Sequence, residues 1–318
     1  MEVSVVIAVH NGEDSILRTL DSLAVALPDD SEIIVVDDGS TDATAARVEA
    51  RDDSRVRLLR QTNQGPAVAA NTGLAVARGR FVARLDCGDL CHPQRLRLQR
   101  EFLLANPGTL MIGCGVRRLD AHGRVLGCSP VVRGAARIRR GLMRMNLFQH
   151  SAVMIRREAL EAVGGYRPFF RFSLDLDLFL RLSERGPLDN LPETLSDWVL
   201  EPASISFRYR GVQARLAQLA RQSAAARRSG RPDPVEGELW KPPVLVLEPP
   251  TVQLGHYHLE VARSLLMGEQ PTEARKELRL ARGHGLPISS LLFLHAYIVL
   301  PAWLRRLARR ARVAWMTR

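Results

Sequence analysis

Through the first ninety residues, short apolar runs alternate with stripes of helical spacing. Val3–Val9 is an apolar run of the kind buried on both faces of a parallel sheet. His10-Asn11-Gly12 turns the chain, and Ile16, Leu17, Leu20, Leu23 and Ala24 then recur on one helical face. A second strand is predicted over 32–36, ending in Asp37-Asp38-Gly39-Ser40-Thr41-Asp42, whose Ser, Thr and Asp are natural caps for a helix over 43–50. A short strand over 56–59, a small-residue helix over 65–77 and a fourth strand over 80–85 complete the series. Strand and helix in alternation predict an α/β doubly wound, mostly parallel sheet.

Beyond it the pattern predicts a helix over 94–105, two strands over 109–117 and 124–129 joined by Asp120-Ala121-His122-Gly123, and a strand over 151–155 preceded by Gln149-His150. A Gly164-Gly165-Tyr166-Arg167-Pro168 turn leads to a helix over 173–181. Two acids on that helix, Asp175 and Asp177, diverge by roughly 200° at 3.6 residues per turn. At most one can face a shared pocket; the other reading is a core helix with two solvated acids.

In such sheets ligands bind at the carboxyl ends of the strands. Polar residues gather at three of those ends: His10/Asn11, Asp37/Asp38 and Asp86/Asp89. A strand ending in carboxylates is costly unless they hold a metal or sugar hydroxyls, although an isolated Asp-x-x-Asp also arises as a helix cap and a turn acid. No GxGxxG follows the first strand and no GxxxxGK[ST] occurs, which argues against dinucleotide and P-loop sites. Cys87, Cys91, Cys114 and Cys128 lack the paired spacing of a zinc site and are expected to be free thiols.

Taken together, the first-strand segment 3–11, the Asp37–Asp42 run, Asn63-Gln64-Gly65, Asn71-Thr72-Gly73, Leu85-Asp86-x-x-Asp89 and Pro93-x-Arg95-Leu96 resemble family 2 glycosyltransferases. The Gly164–Arg167 turn and the Asp175-x-Asp177-Leu178-x-Leu180-Arg181 helix extend the match over about residues 1–206. The resemblance implies a GT-A fold and inverting transfer from a nucleotide-sugar, a UDP-sugar by expectation, to a saccharide or lipid-linked acceptor in cell-surface polysaccharide or glycolipid synthesis. It implies donor contacts from Ala8, His10, Asn11, Glu13, Asp38, Asn71 and Asp86, a divalent cation (Mn2+ or Mg2+) at Asp89, and Asp175 as catalytic base. The chain also departs from the family. Gly88 stands where an acid is usual, Ala70 where many members have Arg, Leu174 where Glu precedes the base, and Trp198-Val199-Leu200-Glu201 where a Tyr-Arg-x-His is common. These losses support an alternative: a catalytically degraded domain that binds nucleotide-sugar or scaffolds an assembly at the membrane. Arg84 and Arg95 are candidates to restore positive charge.

The net charge of +11 is concentrated toward the C-terminus. Residues 205–231 carry seven arginines and no acid, and residues 301–318 carry six more with none. The sequence divides into an expected glycosyltransferase domain over 1–210, an Arg/Ala-rich helix and Pro-rich linker over 211–250, and a helical region over 251–318. In that last region, segments 257–267 and 272–282 resemble one tetratricopeptide-like hairpin. The apolar run 288–300 is short of the ~20 residues that span a bilayer. Trp303, Leu304, Leu307, Ala308, Ala311, Ala314 and Trp315 form an apolar stripe flanked by arginines, the pattern of a helix lying in a membrane interface. With no leader-like segment before the first strand, the expectation is a cytoplasmic protein held on the inner face of the cell membrane by an anionic surface. Few aromatics interleave the basic runs, so nucleic acid is not an expected partner.

Overall fold

The computed structural model describes residues 1–236, 240–300, 303–305, 307–308 and 311. Its centre is a nine-stranded sheet in the order β3-β2-β1-β4-β8-β6-β9-β5, with β7 paired to β6. The first half is parallel and follows the apolar runs closely: β1 (Val3–Val9), β2 (Ser31–Asp38), β3 (Val56–Gln61) and β4 (Phe81–Arg84). Side chains alternate across this half, and both faces are buried. Val5, Ile7, Ile33, Val35 and Ala83 join one core with α1 (Ile16–Ala26), α2 (Thr44–Glu49) and α4 (Arg95–Ala105). Val6, Ile34, Val36 and Val82 join the other. That second core holds α3 (Pro66–Val76), α5 (Ala135–Gly141), α6 (Arg157–Ala162), α7 (Leu174–Arg185) and α9 (Arg210–Arg228). The doubly wound α/β expectation holds here. Helix α3 is rich in small residues because it lies close on the sheet: a Cβ on Gly73 would come within 2.5 Å of Val6 Cγ1.

The second half is mixed. β8 (Met154–Arg156) runs antiparallel to β4 and to β6 (Met111–Asp120), and β7 (Val125–Cys128) is antiparallel to β6. The strand expected over 151–155 starts later, because residues 150–152 form a 3-10 turn. β9 (Leu188–Leu200) runs parallel to β6, and the two-residue β5 (Leu90–Cys91) pairs with it in the antiparallel sense. The pattern does not reveal β9, since Pro192 and three acids interrupt its apolar positions. Its register shifts between Gly113 and Val116, leaving residues 192–194 exposed as an irregularity in the ladder.

A third core forms at the C-terminal end. Leu126 of β7, Leu200 of β9 and Phe207 of α8 (Ile205–Arg208) pack with α10 (Pro250–Met267), α11 (Pro271–Gly283) and α12 (Ile288–Val299). The hairpin expected over 257–282 is α10 and α11, with α10 starting seven residues earlier at Pro250. Among the described residues, no helix is long and apolar enough to cross a membrane. Half of the arginine-flanked stripe expected from Trp303 to Trp315, namely Arg306, Arg309, Arg310, Arg312, Ala314 and Trp315, lies outside the described residues.

Candidate active site

The loops after β1 and β2 are laced together at the carboxyl edge of the sheet. His10 Nδ1 is 3.1 Å from the Asp38 carbonyl oxygen. Asn11 adopts φ 53°, donates its N–H to Ser40 Oγ and accepts the Thr41 N–H at Oδ1, both at 2.9 Å. Glu13 accepts the Ala43 N–H at 3.1 Å while its own N–H reaches Asp42 Oδ2 at 3.1 Å. Ala8 pairs with Val36 in the parallel ladder just before this edge. The Asp38 carboxylate, buried, accepts from Gln61 Nε2 at 2.8 Å and from the backbone N–H groups of Gln64 and Gly65 at 2.9 and 2.8 Å. Five expected donor residues are thus brought to one rim, and Asp38 shapes the loop that closes it.

Asp86, just after β4, is the centre of a second cluster. Its Oδ1 accepts from Arg84 Nη2 at 3.1 Å and its Oδ2 lies 3.2 Å from His150 Nδ1. Arg84 Nε reaches His150 Nε2 at 3.3 Å. A guanidinium N–H can only donate, so Nε2 accepts, and Nδ1 carries the proton that His150 donates to Asp86. The Tyr166 hydroxyl lies 2.8 Å from the same Nε2. Burial works to raise the Asp86 carboxyl, but His150, Arg84 and the Ser151 hydroxyl more than offset it and hold the group well below the usual carboxylate range. With 41% of its side chain open, Asp86 keeps surface for a ligand. Arg84, by contrast, is 2% exposed and anchored by Nη1 on the Val6 carbonyl at 2.5 Å. Arg95 is fully buried and donates to the Arg84 and Val153 carbonyls, so of the two candidate arginines only Arg84 contacts Asp86.

Asp89 sits deeper than Asp86. It is 5% exposed, and its Oδ1 accepts the Val199 N–H of β9 at 3.1 Å. Burial, reinforced by the Asp86 charge, pushes its carboxyl up to about 8. Between the two acids, Gly88 has φ +102°, and a Cβ there would stand 3.7 Å from Glu201 Oε1. A carboxylate from the end of β9 therefore borders the space where the usual acid at position 88 would begin. Glu201 is held by the Ser15 hydroxyl at 3.3 Å and by Arg18 at 3.6 Å. Among the described residues no group of three or more His, Cys, Asp or Glu converges as a ligand cage. Asp86 and Glu201 offer oxygen donors of the kind a Mg2+ or Mn2+ ion takes, its other ligands coming from a diphosphate and water.

Asp175, in the first turn of α7, is half-buried and accepts from Asn146 Nδ2 at Oδ2, 2.6 Å away. Burial raises its carboxyl; His150 and the Asn146 bond lower it and the Asp86 charge raises it, for a net upward shift. Asn71 clamps the turn before α7: its Nδ2 donates to the Tyr166 carbonyl at 2.8 Å and its Oδ1 accepts the Tyr166 N–H at 2.9 Å. Asn71 thereby aims the Tyr166 ring at His150. Asp177 is fully buried, ion-paired with Arg167 and with Arg181 at 2.9 Å. Arg167 and Arg227 both bind Asp233, at 2.7 and 2.5 Å, and Arg227 binds Glu184 at 2.8 Å. Neither helix acid is simply solvated: Asp175 is bonded to Asn146, while Asp177 fastens α7 to the turn that carries Arg167.

Sequence pattern alone misses His150, Tyr166, Asn146 and Glu201 as site residues. His150 and Tyr166 are signalled only by their places beside a strand start and a double-glycine turn. Asn146 sits in an aperiodic segment, and Glu201 closes a strand that itself went unseen. The four cysteines are free.

The glycosyl transferase family 2 model matches residues 4–164. The putative glycosyltransferase EpsE of Bacillus subtilis is 32% identical over 196 residues, 58% of this chain and 68% of EpsE. The succinoglycan biosynthesis protein ExoU of Rhizobium meliloti is 32% identical over 203 residues, 58% of each chain. In structure, the chain is similar to the mannosyltransferase PcManGT of Pyrobaculum calidifontis, solved with GDP-Man and Mn2+. The TM-score is 0.57 at 21% identity, covering 99% of this chain and 85% of that one. That likeness supports the GT-A fold.

Proposed function

Because the chain belongs to glycosyl transferase family 2 and is a sugar-transferring enzyme, we propose that it moves a sugar from a UDP-sugar to a saccharide or lipid-linked hydroxyl with inversion. The observation that carries this reading is Asp86, an open carboxylate at the carboxyl edge of the sheet held by Arg84 and His150.

In this reading the nucleoside lies on the His10–Glu13 rim and Asp38, and the donor hydroxyls meet Asp86. The Tyr166–His150 relay keeps Asp86 ionised and oriented. Asp175 accepts the proton of the acceptor hydroxyl as that oxygen bonds to the anomeric carbon. The bond to the nucleoside diphosphate breaks with its electron pair leaving on the diphosphate. Burial lifts the Asp175 carboxyl toward the working pH, as suits a general base worth roughly 10²–10⁴ in rate. Asp86 and Glu201 would hold a divalent cation, which when bound supplies Lewis-acid neutralisation of the departing diphosphate. PcManGT, which binds Mn2+, is a precedent for such an ion on this fold. ExoU, a polysaccharide biosynthesis protein, supports a polysaccharide or glycolipid product. Attachment to the inner face of a membrane is supported by the exposed Leu292, Phe293, Val299 and Trp303.

The test is Asp175→Asn assayed with a panel of UDP- and GDP-sugars. The expected result is loss of transfer with nucleotide binding retained. Full transfer by the variant would remove the base assignment, and nucleotide binding without turnover by the wild type over the whole panel would favour the degraded domain.

A further inference from the structure

A cavity of about 390 Å³ lies between β6, the segment around Phe148 and the C-terminal helices. Its volume is that of a small-molecule site. Asn146, the residue bonded to Asp175, forms part of its wall, so a single side chain links the cavity to the candidate base. The opposite wall is built by α10 and α12, through Arg263, Phe293 and Tyr297. The helical extension therefore contributes a face to the same region as the catalytic sheet.

The polar part of this wall has an excess of cation. Glu260 is bonded to Arg118 at 2.5 Å and to Arg263 at 3.3 Å, and Arg210 also bears on its charge. Glu248 is the other acid near Arg210. Among the described lining residues Arg118 and Arg263 share one acid, Glu260, which leaves one positive charge in a partly desolvated cluster. Arg118 is the more satisfied member: it also binds Ser129 and Ser264 and lies 4.7 Å over the Trp198 ring. Arg263, whose side chain is 35% open, retains donors for an incoming group. An unneutralised cation beside an apolar wall is costly until an anion meets it.

Resting on the glycosyltransferase reading above, we propose that this cavity receives the acceptor and that Arg263 recognises an anionic group on it. The reacting hydroxyl points toward Asn146 and Asp175, and the apolar remainder lies against Phe293 and Tyr297. The anion is a phosphate joining the sugar to an apolar chain, or a carboxylate on the sugar itself; both offer the oxygen pair that a guanidinium binds in fork geometry.

The experiment titrates the full chain, saturated with UDP to fill the donor site, with geranyl phosphate, methyl glucuronide and neutral octyl glucoside. At least one anionic probe should bind about tenfold more tightly than the neutral one, as a charge-assisted pair allows. Which anion binds identifies the source. Arg263→Gln should erase the preference and Arg263→Lys should restore part of it, with UDP affinity unchanged in both. Equal binding of the neutral probe, or a preference that survives Arg263→Gln, overturns the proposal. If the anion preference persists but neither UDP nor GDP binds, the nucleotide-sugar reading falls while the cavity assignment stands.

Discussion

His150 Nδ1 stands 3.2 Å from Asp86 Oδ2, and the Arg84 bond to the opposite ring nitrogen fixes which side of the imidazole carries the proton. Replacing His150 by Ala removes both the donor and the ring. The Asp86 carboxyl should then rise toward its ordinary range, the donor KM should increase by about tenfold, and the acid limb of activity should move to higher pH. Tyr166→Phe, which removes only the far hydroxyl, should show the same direction with a smaller change. Steady-state kinetics from pH 4 to 8 measure both.

Asn146 donates to the candidate base and thereby stabilises its anion. Asn146→Ala should lift the Asp175 carboxyl further, so that the rising limb of kcat against pH shifts upward. A mutation acting through loss of fold would lower kcat without moving the limb.

Asp177→Ala should be far more damaging to stability than its place in the family motif suggests. It would leave Arg167 and Arg181 facing each other in a dry site, at a cost of about 3–5 kcal/mol. Urea denaturation followed by circular dichroism checks this.

Asp89 makes a pH-dependent contribution of opposite sign to that of an ordinary paired carboxylate. Its folded value of about 8 exceeds the unfolded value, so between about pH 4 and 8 the folded chain holds a proton that the unfolded chain has lost. Stability from this group is present below that window and is lost as pH rises through it. Asp89→Asn keeps an acceptor for the Val199 N–H, and its melting temperature should fall less than that of the wild type between pH 5 and 9.

Glu201→Gln should weaken Mn2+ binding, read by electron paramagnetic resonance in the presence of UDP. Gly88→Asp should strengthen it. That variant also costs about 1–2 kcal/mol, because a side chain at φ +102° is strained. Unchanged Mn2+ affinity in both variants would remove these positions from the cation site.

The parallel half of the sheet was legible because its strands are buried on two faces, and apolar runs with small-residue or amphipathic helices between them have few other uses. Asp86 was legible as a carboxylate at a strand end, but its neighbours were not. Arg84 belongs to the strand itself, whereas His150 and Tyr166 arrive from segments more than sixty residues downstream. Their meeting depends on where β8 inserts and on how Asn71 grips the glycine turn. Asp89 and Glu201 were hidden for a common reason. Both are placed by β9, whose proline and acids disguise it as loop, so neither the burial of one nor the approach of the other could be foreseen.

The shared core of Leu126, Leu200 and Phe207 with α10–α12 gives the molecule an uneven capacity for change. The rim proposed for the nucleotide is built wholly from the parallel half, remote in sequence from that core. Substitutions along α10 and α12 can therefore reshape the wall facing Asn146 while leaving the ends of β1, β2 and β4 untouched. A lineage of such chains could exchange one acceptor for another by drift in its last seventy residues, with its donor chemistry inherited intact.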